Sequence, residues 1–326
     1  MNQQLSPSTQ AILLLTAPLL VGSQNVPAEI LSPSEYKRLR RRLIDQKLSP
    51  EHLLGPDAST AFEKCNAAVD ASRLARLMNR GPLLSLAIER WHARAIWMIS
   101  LADAAYPQNI KKRLKEDAPP ILYGRGDPAL LNAGGLAVVG SRNVSARVLE
   151  YAARIGRDAA AVECAVVSGG ARGVDTAAMH GALAANGRTI GVLPDSLDRA
   201  AIAWDHRKAL IGGKLVLVSP YDPAAGFNAG HAMSRNNLIY ALADAALVVN
   251  ADHGKGGTWA GAVEQLDKLR FVRVYVRSTG EIGNGIEALR AKGAPPWPNP
   301  DSVESFAAAL AASPVPYKGP VQESLG

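Results

Sequence analysis

From Gly135 onward the chain alternates short, β-branched apolar runs with amphipathic stretches of helical length, and this alternation restricts the fold more than any other feature. The runs fall at 136–139, 165–167, 189–193, 215–218, 246–249 and 272–276, and helices are predicted between them near 145–161, 174–186, 200–211, 233–243 and 258–268. A strand with one wet face alternates apolar and polar residues, whereas a run that is apolar throughout is covered on both faces. Crossover helices supply that cover. The pattern therefore predicts an α/β domain with an extended Rossmann-like, doubly wound and mostly parallel sheet.

The remainder of the chain reads differently. Residues 1–115 are predicted to form a helical accessory domain, with apolar residues at helical spacing in 34–43, 67–78 and 83–94 and a break at Gly81-Pro82. The first of these helices is read as starting at Ser34 after Pro33, with Leu39 and Leu43 on one face. Its basic run, Lys37, Arg38, Arg40, Arg41 and Arg42, is expected to cover the solvent side. Residues 116–293 are assigned to the Rossmann-like domain, entered through the Pro- and Gly-rich connector 118–128. Residues 294–326 read as a Pro/Ala-rich tail with one helix near 301–312, a disordered stretch from 314 and no winged-helix module.

Composition excludes several classes. The apolar stretch 11–22 is shorter than the roughly 20 residues a bilayer requires, lacks a preceding basic segment and contains Pro18, so a buried helix is expected and neither membrane insertion nor export. Two cysteines, Cys65 and Cys164, make neither a disulfide framework nor a zinc site, and a reducing, cytoplasmic setting is expected. The six histidines show no ligand spacing, and His180 is read as a partly buried helix residue. Neither a metal nor a cofactor is expected. The formal charge of +7 suits a polyanionic partner and equally an ordinary soluble surface.

In an open parallel sheet the binding crevice lies at the carboxyl ends of the strands, so the loops after the strands carry the functional signal. After the first run come Gly140-Ser141-Arg142-Asn143, where Gly140 permits a tight turn and Arg142 offers a planar fork suited to phosphate. The alternative makes Ser145 a helix N-cap and Arg142 a surface residue, and the loop alone does not choose between them. After the second run come Ser168-Gly169-Gly170-Ala171-Arg172-Gly173-Val174-Asp175. Its paired glycines let successive N–H groups converge as an anion nest, with Arg172 beside it and Asp175 read as the cap of the next helix. This is neither a Walker A loop nor the dinucleotide fingerprint GxGxxG, which disfavours conventional NTPase or NAD chemistry.

The two loops in this order resemble the paired signature of the DprA/Smf DNA-processing family. The resemblance extends to Gly187–Leu193, Leu197-Asp198 and Arg235-Asn236, with a family-like lead-in at 103–107 and 119–126, and covers roughly residues 70–290. It implies a protein without catalytic residues that binds single-stranded DNA, most often as a homodimer, in recombination and natural transformation, and that helps load a RecA-type recombinase. On that analogy Arg142, Arg172 and Arg235 contact phosphates. Ser141, Asn143, Ser168, Gly169, Gly170 and Gly173 shape the pocket, and Asn236 offers amide hydrogen bonds.

The chain also departs from the family pattern. Ala232-Met233-Ser234 stand where the family has Phe-Pro, Asn237 replaces a second arginine, and Gly261 replaces a threonine. A role in phage defence, with a cognate toxin as partner, is therefore an alternative. Nucleotide sensing is another. A third, hydrolysis by a cytokinin-activating phosphoribohydrolase on the same fold, requires Pro-Gly-Gly-x-Gly-Thr-x-x-Glu. Here Glu264 lies too far beyond Thr258 for that spacing and is read as solvent-facing. Tyr221, Phe227 and Trp259 fall near predicted loops as candidates for base stacking, with core packing as the alternative.

Overall fold

The computed structural model describes residues 5–19, 29–226, 228–280 and 282–312. In chain order its first elements are α1 (Pro7–Thr16), α2 (Pro33–Asp45), α3 (Ala58–Cys65), α4 (Ala71–Met78), α5 (Gly81–Ala93), β1 (Trp97–Ser100), α6 (Gln108–Leu114) and β2 (Ile121–Arg125). There follow β3 (Leu136–Gly140), α7 (Ala146–Ala161), β4 (Val166–Ser168), α8 (Val174–Ala184), β5 (Thr189–Val192), α9 (Leu197–Ile202), α10 (Trp204–Ile211) and β6 (Leu215–Ser219). The last are α11 (Ala229–Leu242), β7 (Ala245–Asn250), α12 (Gly256–Glu264), β8 (Arg273–Val276), α13 (Asn284–Ala291) and α14 (Val303–Ala311).

Two compact units result, and they cut the chain differently from the sequence boundaries at 115 and 293. One comprises residues 1–129, 193–212 and 216–231; the other comprises 130–192, 213–215 and 232–326. The first is helical at its start, but β1 pairs antiparallel with β2 and β2 antiparallel with β6. The connector 118–128 thus holds a buried strand. Gly124 is required in it because a Cβ there would sit 2.3 Å from the Trp97 ring. Helix α2 starts one residue earlier than predicted, at Pro33. Ser32 is its cap, accepting from the Glu35 amide at 3.3 Å, while the Glu35 carboxylate accepts from the Ser32 amide at 2.8 Å. This reciprocal box, with Pro33 in the first turn, satisfies amides that a helix start leaves open.

The basic run on α2 does face solvent, and part of it is paired there: Lys37 bonds Asp117 at 2.8 Å, and Arg41 bonds Glu116. Helix α1 buries Ala11 to Leu15 almost completely, as expected for the apolar stretch, whose residues 20–22 lie outside the described residues. Among the described residues no helix is long and apolar enough to cross a membrane. Phe227 and the predicted disordered tail also lie outside them.

The second unit carries the parallel sheet. β4 lies between β3 and β5, and β7 between β3 and β8, every pair parallel, so the order is β5-β4-β3-β7-β8. The chain winds outward from β3 in one direction and then returns to wind in the other. This is the doubly wound arrangement, with its switch point between β3 and β7. Strands β3, β4 and β7 are buried along nearly their whole length, the covering that their unbroken apolar runs predicted.

Helices α7 and α8 pack closely because each offers a glycine to the other's backbone: a Cβ at Gly156 would lie 2.1 Å from the Ala178 carbonyl oxygen, and one at Gly181 2.0 Å from that of Ala153. A backbone neighbour cannot swing away as a side chain can. Gly181→Ala is expected to force the helices apart and lower stability by about 1–3 kcal/mol, the usual range for overpacking, measured as a shift in the urea midpoint with the slope unchanged.

Candidate nucleic-acid interface

The switch point is built from β3 and β7 and the turns that follow β3 and β4. The β3–β7 register slips at Val139/Gly140, and beyond the slip the Ser141 amide donates to the Asn250 carbonyl at 3.2 Å. The turn after β3 then lies directly over the turn after β4. At Gly173 φ is +98°, and a Cβ would meet the carbonyl oxygens of Ser141 and Arg142, each at 2.6 Å. Only glycine has both the conformation and the space this crossing demands. From a third side, the Thr258 hydroxyl at the start of α12 donates to the Gly140 carbonyl at 3.0 Å.

A single carboxylate fastens the two turns from beneath. Asp175 was expected to cap α8, but the cap position is Gly173, and Asp175 lies within the first turn, only 6% exposed. Its carboxylate accepts the Gly169 amide at 3.2 Å, and backbone hydrogen bonds also reach it from Gly140 and Ala171, so it gathers amides from both turns. Burial pushes its pKa up to about 6, while the Arg235 guanidinium and these amides draw it back down.

Arg235, expected at a phosphate, is turned inward instead. It is 4% exposed, and its guanidinium passes so close to the Gly169 backbone that a Cβ there would collide with Nη1. The physical reason is Asp175: a buried carboxylate draws the nearby cation into the fold. Ser168 is likewise internal, its hydroxyl donating to the Val138 carbonyl at 2.6 Å. Asn236 is half-buried and donates to the Gly257 carbonyl at 3.1 Å, bracing α11 against α12.

The residues presented to solvent are Arg142, Asn143, Gly170 and Arg172, with Ser141 and Gly173 half-buried beside them. Arg172 Nη2 donates to the Asn143 amide oxygen at 2.5 Å, which brings the two predicted arginine turns together. Of the ten candidate residues, the arrangement thus separates an exposed group from an internal set of Ser168, Gly169 and Arg235 that shapes the turns from within.

Sequence reasoning missed three features here. The Asp175 clamp was signalled by a carboxylate among the apolar neighbours Val174, Ala178 and Met179. The Thr258 tie had no signal in spacing. Glu264, read as solvent-facing, is half-buried and lines a groove of about 160 Å³ with Ser234, Asn236 and Asn237. His180, read as partly buried, is exposed. Of the aromatic candidates, Trp259 packs edge-on against His253 at 4.8 Å, and Tyr221 stacks on His231 at 3.7 Å within the other unit.

An open parallel sheet with glycine–arginine turns at its switch point defines a Rossmann-like domain whose crevice suits a phosphate-bearing ligand. More particularly, the chain belongs to the DNA recombination-mediator protein A family, whose model matches residues 97–307. It is 32% identical over 158 residues to DNA processing protein DprA of Streptococcus pneumoniae, covering 48% of this chain and 55% of that one. To DprA of Bacillus subtilis it is 27% identical over 241 residues, covering 70% and 80%. The chain thus spans about half the length of the pneumococcal relative and four fifths of the Bacillus one.

The crystal structure of the pneumococcal protein shares the fold at a TM-score of 0.66, with 20% identity, 85% of this chain and 93% of that one. DNA processing protein A of Helicobacter pylori, whose structure concerns its single-stranded-DNA binding mode, aligns at a TM-score of 0.51 and 25% identity over 66% of this chain and 95% of that one.

The clamp makes two expectations. Asp175→Ala leaves buried amides without their acceptor and removes the negative charge beside the buried Arg235 guanidinium, and should cost about 3–5 kcal/mol; adding Arg235→Met should recover part of this in a double-mutant cycle. Because the carboxyl's folded pKa of about 6 lies above its ordinary 3.8, its contribution to stability is full below pH 4 and is lost as the pH rises through 6. Asp175→Asn should abolish that decline in denaturant midpoints measured from pH 4 to 7.

Proposed function

We propose that the parallel-sheet unit binds single-stranded DNA by its sugar–phosphate backbone and serves, in the cytoplasm, in DNA processing and recombination. The observation that carries this reading is the exposed pair Arg142 and Arg172, brought together through Asn143 at the switch point. Both forks are planar donors suited to bidentate contact with phosphate. Asn143 is neutral, so it orients Arg172 without cancelling its charge. Backbone contacts position a strand without reading its sequence, and little base preference is expected. The relation to the Helicobacter protein and the membership of the recombination-mediator family support the same reading. Binding of this kind uses no reaction step, so the role is that of a mediator and not of an enzyme.

Each phosphate neutralised on a single strand lowers the slope of log affinity against log salt by about 0.7. Arg142→Ala/Arg172→Ala should therefore weaken binding of a thymidine 20-mer and flatten the slope by about 1.4. A folded double variant with unchanged affinity and slope would refute the assignment. Tight binding of AMP with release of ribose phosphate, and no affinity for the 20-mer, would point to the phosphoribohydrolase chemistry instead.

A further inference from the structure

Beside the arginine turns, the groove between α11 and α12 is a polar feature that the reading above does not use. It encloses about 160 Å³, with Ser234, Asn236 and Asn237 on the α11 side and Gly257, Gly261 and Glu264 on the α12 side. Sites for whole drug-sized ligands begin at roughly 300 Å³. The groove therefore suits a single ring system and not an entire nucleotide.

Its shape comes from small residues. Gly257, Ala260 and Gly261 recur at helical spacing, so α12 turns a nearly bare face toward α11 until Glu264 ends it. A Cβ at Gly257 would meet Asn236 Nδ2 at 3.2 Å, and one at Gly261 would meet the Tyr240 ring at 3.4 Å. Bare backbone along one wall leaves a narrow slot. Met233, 56% exposed, borders this slot and offers a polarizable thioether to a ring.

The polar groups left over are mostly acceptors. Among the described residues Glu264 forms neither a hydrogen bond nor an ion pair. Of the cations nearby in sequence, Arg235 is turned to Asp175, and Lys268, one turn beyond Glu264, stands outside ion-pair distance. Asn237 Oδ1 is buried with no hydrogen-bond partner among the described residues. An acceptor left so costs stability, and the soft terminal torsion of asparagine lets it turn to a donor in the groove. Asn236 differs, because its Nδ2 is already engaged by the Gly257 carbonyl. Ser234 is exposed and carries a hydroxyl able to donate.

A carboxylate beside an amide oxygen recognises an edge that presents adjacent donors. Among the four DNA bases only guanine does so, with N1–H and the N2 amino group side by side and the acceptor O6 next to them. Adenine and cytosine set their amino group beside a bare ring nitrogen. Thymine sets its N3–H between two carbonyl oxygens, which a carboxylate repels.

We propose that this groove reads one guanine base: Glu264 accepts from N1–H and N2–H, Asn237 accepts the second N2 hydrogen, and Ser234 donates to O6. One end of the groove adjoins the arginine turns. Gly257 is followed by Thr258, whose hydroxyl holds the Gly140 carbonyl two residues before Arg142. The base belongs either to a strand held at those turns, an arm that rests on the function proposed above, or to a free guanine nucleotide. The arginine turns themselves read no base, and the groove adds a reading at one position.

The test compares wild type, Glu264→Gln and Arg142→Ala/Arg172→Ala by fluorescence anisotropy with three 20-mers. One is thymidine throughout, one carries guanine at every fourth position, and one carries hypoxanthine, which lacks the 2-amino group, at the same positions. Calorimetry with GMP and IMP reads the free nucleotide. If a strand fills the groove, wild type binds the guanine 20-mer at least about fivefold tighter than the thymidine one. Hypoxanthine then loses most of that gain, and Glu264→Gln brings the ratio of the two affinities to about one. A ratio is insensitive to the general effect of removing one negative charge. If a free nucleotide fills the groove, GMP binds more tightly than IMP, Glu264→Gln removes GMP binding, and the three 20-mers bind alike.

Absence of both a guanine preference and GMP binding would overturn the site, as would a preference that Glu264→Gln leaves intact. Thermal melts establish folding, and Glu264→Ala repeats the comparison should the glutamine variant unfold. The turn variant reads the proposed function independently. If it binds the 20-mers as wild type does, or if wild type binds none of them, that function fails alone, and GMP binding that depends on Glu264 still supports the groove.

Discussion

The arrangement at the switch point depends on one buried carboxylate. Asp175 accepts amides from the turns after β3 and β4 and lies against the Arg235 guanidinium, so the two turns cannot move independently. Loops at strand ends are ordinarily mobile, and a flexible arginine loses entropy each time it holds a phosphate. Fixing the turns from below removes part of that cost before any ligand arrives. The glycines are the counterpart of the clamp: Gly169 leaves room for Arg235, and Gly173 lets one turn cross the other at van der Waals distance. A side chain at either place would separate the elements that the carboxylate holds together.

The parallel sheet was legible because its evidence is spread over many residues. Six apolar runs with helical stretches between them leave few alternative folds, and an error of one or two residues at each end does not matter. β1 and β2 were not legible. Each is four or five residues long, and β2 emerges from a proline-rich connector whose composition signals a loop. Their strand character comes from pairing with residues far along the chain: β2 pairs with β6 almost a hundred residues later. Local sequence carries no trace of such a partner. The same reason explains why residues 193–212 and 216–231 join the first unit although they lie within the stretch assigned to the Rossmann-like domain.

At the candidate site, the sequence indicated which turns matter but not which way their side chains face. Arg142, Arg172 and Arg235 look alike as letters. Only the fold separates two exposed forks from one that is 4% exposed. Direction is decided by the nearest buried charge, and Asp175 lies sixty residues away from Arg235 in sequence. A carboxylate flanked by apolar residues at the start of a helix was a usable sign that something cationic would be drawn inward. It was outweighed by the commoner role of aspartate at helix caps.

What holds each arginine distinguishes scaffold from surface more sharply than exposure does. Arg73 bonds the Glu35 carboxylate at 2.6 Å, Arg157 bonds Glu150, Arg90 bonds Asp198 at 3.0 Å, and Arg235 faces Asp175. In each the positive charge is answered within the protein, and the field it projects is small. Arg172 is held by the Asn143 amide. That partner orients a guanidinium while leaving its charge to act outward. Neutral partners also hold Arg42, which bonds the Lys64 carbonyl on a helix surface, so such a partner alone does not make a binding residue. The combination that the proposed function calls for is a neutral partner together with a place at the carboxyl edge of a parallel sheet, where backbone amides add to the same field. In the parallel-sheet unit that combination is met by Arg172 in the turns after β3 and β4.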